Sequence, residues 1–168
     1  SYPEVGGKFD IVACKWTAAA RREGHVQLVL MEIKYGDFAL EGQSGLLKHL
    51  ADARNLLDDP ANRELLRMTA QVQLNQLNEL GLLRHAKTAR EFSVHADKPE
   101  LVLLLANHNP RSSILPRILD SAELKAFSDA RTNPFELRFF TASAAGYAMH
   151  ESCMLSPERF RQMHFLKN

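Results

Sequence analysis

The sequence predicts an α/β domain built on a mixed central β-sheet flanked by helices. Three observations carry that prediction. Two strand-like stretches, "KFDIVACKW" at 8–16 and "VQLVLMEIKY" at 26–35, flank the polar turn "TAAARREGH" with its Gly24, the spacing of an antiparallel hairpin. Two stretches of helical period then follow. Beyond them, "PELVLLLANH" is a continuous apolar run, as a strand covered on both faces requires. A hairpin, a helical crossover and a central strand together make a mixed sheet.

Each element has its own signal. "QSGLLKHLADARNLL" repeats Leu46, Leu47, Leu50, Ala53 and Leu57 at helical spacing. "DDPANRELLRMTAQVQLNQLNELGLL" reads as a second long helix, with Asp59 as N-cap, Pro60 at the first helical position and Gly81 as the stop. "DSAELKAFSDA" predicts a short helix with a capping box from Asp120 to Glu123. "FELRFFTASAAGYAMH" reads as an edge strand or hairpin, and "SPERFRQMHF" as a last helix capped by Ser156. No internal repeat, low-complexity stretch or linker divides the chain, so residues 1–168 form one domain. The opening "SYPEVGGKFD" lacks an initiator Met and enters a strand almost at once, the expectation for a domain of a longer protein with further domains.

Composition bounds the function. The chain is 45% hydrophobic and 24% charged, as ordinary globular proteins are. Twenty-one Lys and Arg against twenty Asp and Glu give a net charge of +1, so a general polyanion-binding surface is not indicated. A local patch is still available in Lys15, Arg21 and Arg22 on the first hairpin, where it could meet a nucleic-acid backbone. The apolar run "LVLLLA" at 101–106 is too short to cross a bilayer, and the expectation is a cytoplasmic protein with no membrane partner. Cys14 and Cys153 stand far apart and are expected as buried thiols. No glycine-rich phosphate loop, GxSxG or Cys/His nucleophile pattern is present, which argues against a nucleotide cofactor and against those covalent hydrolases. The seven histidines do not cluster at metal-ligand spacing and read as surface or structural groups. Among them, His49 follows Gln43 on the first helix and could face a site there; His95, His108 and His150 lie near strand ends. "ANHNPRSS" is a polar loop whose Asn, His and Arg could reach a substrate.

The chemistry concentrates in the first two strands. Asp10, Val12 and Cys14 share one face, as do Leu28, Leu30, Glu32 and Lys34. A carboxylate and an amine in an apolar strand need compensation for their desolvation. Pairing of the strands brings Asp10 towards Glu32 and Lys34. Two carboxylates so close repel unless a cation lies between them, and magnesium accepts one or two carboxylates plus waters and phosphate oxygens. An amine beside them could stabilise an anionic transition state.

Asp, about twenty residues, then Glu-x-Lys after an apolar run, then a helix: this pattern resembles the PD-(D/E)xK nuclease superfamily, with its restriction-endonuclease-like fold. "KFD" stands where the family name has its proline. The resemblance spans roughly residues 8–106, with 135–150 as a further strand, and implies a three-layer core. It implies a nuclease that hydrolyses nucleic-acid phosphodiesters, DNA foremost, with Mg2+ or Mn2+. Asp10, Glu32 and the Ile33 carbonyl would hold the metal, Lys34 would assist the nucleophile, and Gln43 matches the polar residue that members place at the next helix start. Many members act as homodimers. The alternative is an inactive module that keeps the fold to bind nucleic acid or protein. A third reading is an unrelated α/β domain in which Glu32 and Lys34 form a surface salt bridge.

Overall fold

A computed structural model describes residues 8–17, 23–83, 91–109, 111–142 and 153–165. In chain order the elements are β1 (Ile11–Lys15), β2 (His25–Tyr35), α1 (Leu46–Asp58), α2 (Pro60–Glu79), β3 (Ser93–Val94), β4 (Glu100–Ala106), α3 (Ile114–Asp120), α4 (Ala122–Ser128), β5 (Glu136–Ala142) and α5 (Pro157–Phe165). Short 3-10 turns at Asp37–Leu40 and Gly42–Ser44 join β2 to α1. Among the described residues this is an α/β fold with five helices and an open, mixed, five-stranded sheet ordered β1-β2-β4-β5, with β3 paired to β2 off that path. β1 is antiparallel to β2, whereas β2, β4 and β5 run parallel.

The register decides which side chains meet. Val12 pairs with Leu30 and Cys14 with Leu28; Glu32 pairs with Leu103, Lys34 with Leu105 and Leu103 with Phe139. Because side chains alternate along a strand, Leu28, Leu30, Leu103, Leu105 and Phe139 share one face with Glu32 and Lys34. That face is closed by Leu46, Leu50, Ala53 and Leu57 of α1, Ala70 of α2, Leu115, Ile118 and Leu119 of α3, Leu124 and Phe127 of α4 and Phe160 of α5. Each fully buried Leu or Phe contributes roughly 1.5–3 kcal/mol of transfer free energy. The opposite face carries a smaller cluster, Val29, Met31, Val102 and Phe140, with Ala13, Leu104 and Met154 against it. All five described helices therefore bury side chains on one face, and the third layer expected from the resemblance is not seen among the described residues.

The long elements follow their signals. Asp59 accepts a hydrogen bond from the Ala61 N–H at 2.8 Å, Pro60 opens α2, and Gly81, at φ +70°, follows its end. Ser156 accepts from the Arg159 N–H at the start of α5. β4 is buried along most of its length, as its apolar run predicts. Other expectations need correction. Asp120 closes α3 and does not cap α4: Ser121 Oγ accepts the Leu124 N–H at 3.1 Å, because the chain bends into extended backbone at Ser121. The polar stretch after β4 gives way to α3, and β3 is a two-residue strand. Cys14 is half-buried, with burial raising its thiol pKa, but Cys153 is exposed on a turn before the Phe139–Leu155 bridge. A hairpin after β5 would lie outside the described residues, as do Arg21, Arg22 and His150.

Candidate active site

The end of β2 places its charged residues under the following turn. Glu32 and Lys34 point to the helix-covered face, where their side chains are 8% and 4% exposed. Such burial is tolerated only because each charge is met. Lys34 Nζ donates to Glu32 Oε1 at 3.1 Å and to the Ser44 carbonyl at 2.7 Å. His49 Nδ1, from the first turn of α1, contacts the same Glu32 oxygen. The imidazole carries its proton on Nδ1 when it donates there. The salt bridge is thus internal, unlike the surface pair of the third reading.

The turn over Lys34 depends on a close backbone approach. A Cβ at Gly45 would sit 2.8 Å from the Glu41 carbonyl carbon, so a larger residue there forces the turn apart. Gln43 lies on this turn, exposed, and its side chain makes no hydrogen bond among the described residues.

Asp10 joins from the other strand. It immediately precedes Ile11, the partner of Met31, and its Oδ2 accepts the Ile33 N–H at 2.7 Å. The acid is exposed and one residue away from Glu32 along β2. The N–H and C=O of one strand residue project to the same edge, so the Ile33 carbonyl also faces Asp10. Asp10, Glu32 and the Ile33 carbonyl are oxygen donors of the hard type that magnesium takes, Asp10 exposed and Glu32 buried with its Oε1 engaged by Lys34 and His49. That set fits a divalent cation using two carboxylates and water. Among the described residues no group of three His, Cys, Asp or Glu side chains comes together as a metal-ligand cluster.

A second pair lies just beyond. Asp37, after β2, and His108, after β4, meet at 3.0 Å between Oδ1 and Nδ1. The His108 hydrogen bond, helped by Ser112 and the Asn109 backbone, holds the Asp37 carboxyl below the usual range. His108 Nε2 is buried and has no partner among the described residues. Gly36 N–H donates to the Ala106 carbonyl at 2.8 Å, tying the two strand exits together.

Of the predicted site residues, the structure bonds Asp10 to the Ile33 N–H and Lys34 to Glu32, and leaves Gln43 facing solvent. His49, read from the sequence as a surface or structural group, touches Glu32. Its place on the helix that follows Gln43 was the available signal. The Lys15 amine, with its side chain 20% exposed, is engaged by Glu100 at 2.8 Å. A cavity of about 500 Å³ at the α1–α2 corner, lined by Asp58, Arg63, Arg67 and Lys98 among others, contains none of the predicted site residues. No helix among the described residues is long and apolar enough to cross a membrane. No protein-family model matches the chain, and no curated protein or solved structure matches it.

Proposed function

We propose that this domain is a divalent-metal-dependent nuclease of the restriction-endonuclease-like class, hydrolysing nucleic-acid phosphodiesters, DNA foremost. The observation that carries the reading is the buried Glu32–Lys34 pair on β2, with Asp10 bonded to the Ile33 N–H between them. The antiparallel β1–β2 pair, helical crossover and parallel β4 are in the order the resemblance implies.

Asp10, Glu32 and the Ile33 carbonyl would hold Mg2+ or Mn2+. Such an ion supplies charge neutralisation at phosphate oxygens and an acidified water. Lys34, released from the Ser44 carbonyl, orients the attacking water or neutralises charge building on the phosphorus oxygens. His49 fixes the Glu32 carboxylate from the α1 side, acting as a positioning residue.

The test is cleavage of plasmid and single-stranded substrates with magnesium, manganese or chelator, by the parent and by Glu32→Ala and Lys34→Ala. The reading expects metal-dependent cutting by the parent alone. Equal cutting by all three proteins would overturn it. The rival reading, an inactive scaffold, predicts no cleavage and no manganese binding dependent on Asp10 in calorimetry.

A further inference from the structure

Phe38 is 97% exposed, the most exposed large apolar side chain among the described residues, although Phe is among the residue types most often buried. Its turn is firmly held. Asp37 before it is bound by His108, Leu40 after it is 1% exposed in the core, and Gly36 is tied to Ala106. The chain is anchored on both sides of a ring that it presents to water. Tyr35, three residues earlier, is 66% exposed.

The same ties bring in a cation. Arg111 follows His108 on the β4 exit and is exposed, its backbone N–H donating to Asn109 Oδ1 at 3.0 Å. Its guanidinium makes no hydrogen bond or ion pair among the described residues, whereas Arg117 nearby is held by Glu41. An aromatic face and an uncommitted guanidinium thus stand on two joined loops at the carboxyl ends of β2 and β4. In open α/β sheets this is where ligands bind.

We propose that Phe38 stacks on an unpaired base, and that Arg111 meets a phosphate, of a single-stranded nucleic acid entering the Glu32–Lys34 centre. The inference rests on the nuclease reading for the identity of its occupant. Every base has a π-face, and single-strand binders combine aromatic platforms with basic contacts. A base inside a duplex is already stacked on both sides and offers Phe38 no face. Loss of one such stack lowers affinity about 5- to 150-fold.

The test uses the full chain in chelator, so that binding is read without cleavage. Phe38→Trp places a fluorescent ring at the platform, with the parent, which carries only Trp16, as the blank. Titration with short oligo-dT is expected to quench the new emission, while a blunt duplex of two complementary strands quenches at least about 5-fold more weakly. Phe38→Ala is expected to weaken oligo-dT binding in fluorescence anisotropy with an unchanged melting temperature. Arg111→Ala weakens it too and flattens its salt dependence. No quenching by oligo-dT, equal quenching by the duplex, or parental affinity in Phe38→Ala overturns the proposal. An emission shift that follows protein concentration alone also overturns it, in favour of a second copy on this face. Magnesium-dependent cleavage without quenching would sink only the stacking role; quenching without cleavage would sink the nuclease reading and leave a binding surface.

Discussion

Glu32 and Glu100 are both acids buried in the sheet, one on each face, and their partners differ in origin. Glu100 on β4 is met by Lys15 of β1 at 2.8 Å and by Arg138 of β5 at 3.7 Å, with Arg138 also held by Glu136. Its compensation comes from other strands and ties the sheet's outer members to its centre. Glu32 is met by an amine two residues along its own strand and by an imidazole on a covering helix. The amine in turn leans on a loop carbonyl. Beside it stands Asp10, whose carboxylate accepts a backbone N–H and not a cation's. Charge burial alone therefore marks compensation. The elements that supply the partners separate a structural clamp from a candidate reaction centre.

The contrast is tested most severely by Glu32→Gln. It is expected to lower metal-dependent cleavage about 10²–10³-fold, the equivalent of several kcal/mol of lost charge stabilisation. It leaves the 4%-exposed Lys34 ammonium without its acid, so the melting temperature should fall at least as far as in the Glu100 variant, and cleavage is compared well below both melts. Glu100→Gln separates stability from activity. It leaves Lys15 and Arg138 without their buried acid, and since both cations reach water the expected cost is about 2–3 kcal/mol, or roughly 5–10 °C in a thermal melt. Cleavage measured well below that melt should persist; a variant with parental stability and no cleavage would reverse the two assignments.

Asp37→Asn probes a third pair, of intermediate exposure. Because His108 lowers the Asp37 carboxyl in the folded state, the pair contributes stability above the ordinary aspartate range, near pH ~4, and loses it as pH falls through the folded value. The variant should be about 1 kcal/mol less stable at neutral pH, and the difference should vanish in acid; a constant offset down to low pH would refute the linkage. The smallest effects concern α4. Ser121→Ala should cost about 1 kcal/mol in denaturant unfolding and Asp120→Ala a few tenths, since only the former removes the cap.

The parts of the molecule legible in the sequence are those governed by local periodicity and capping. β2, α1, α2 and β4 follow from alternation, helical spacing, Asp59–Pro60 and Gly81. The placement of Asp10 beside the Ile33 N–H was legible because a hairpin fixes register locally. α3 was hidden by "ILPRILD", whose Pro116 argues against a helix yet falls within its first turn, where a missing N–H costs nothing. The placement of Lys15 against Glu100, 85 residues away, and of His108 against Asp37, 71 residues away, depends on crossovers that no local pattern encodes. His49 is the instructive middle case. Its helix was legible, but its contact with Glu32 needed the intervening turn to fold over Lys34.

β2 is hydrogen-bonded along both edges, to β1 and to β4, whereas β1 has a neighbour on only one side among the described residues. Amides of β2 and β4 are therefore expected to exchange with solvent only on global unfolding, and those of β1 at lower cost. When β1 peels away, Asp10 departs and Glu32 stays. A cation shared between those two acids would then act as a staple across the weakest seam of the sheet, so that protection of the β1 amides from deuterium exchange rises with metal concentration.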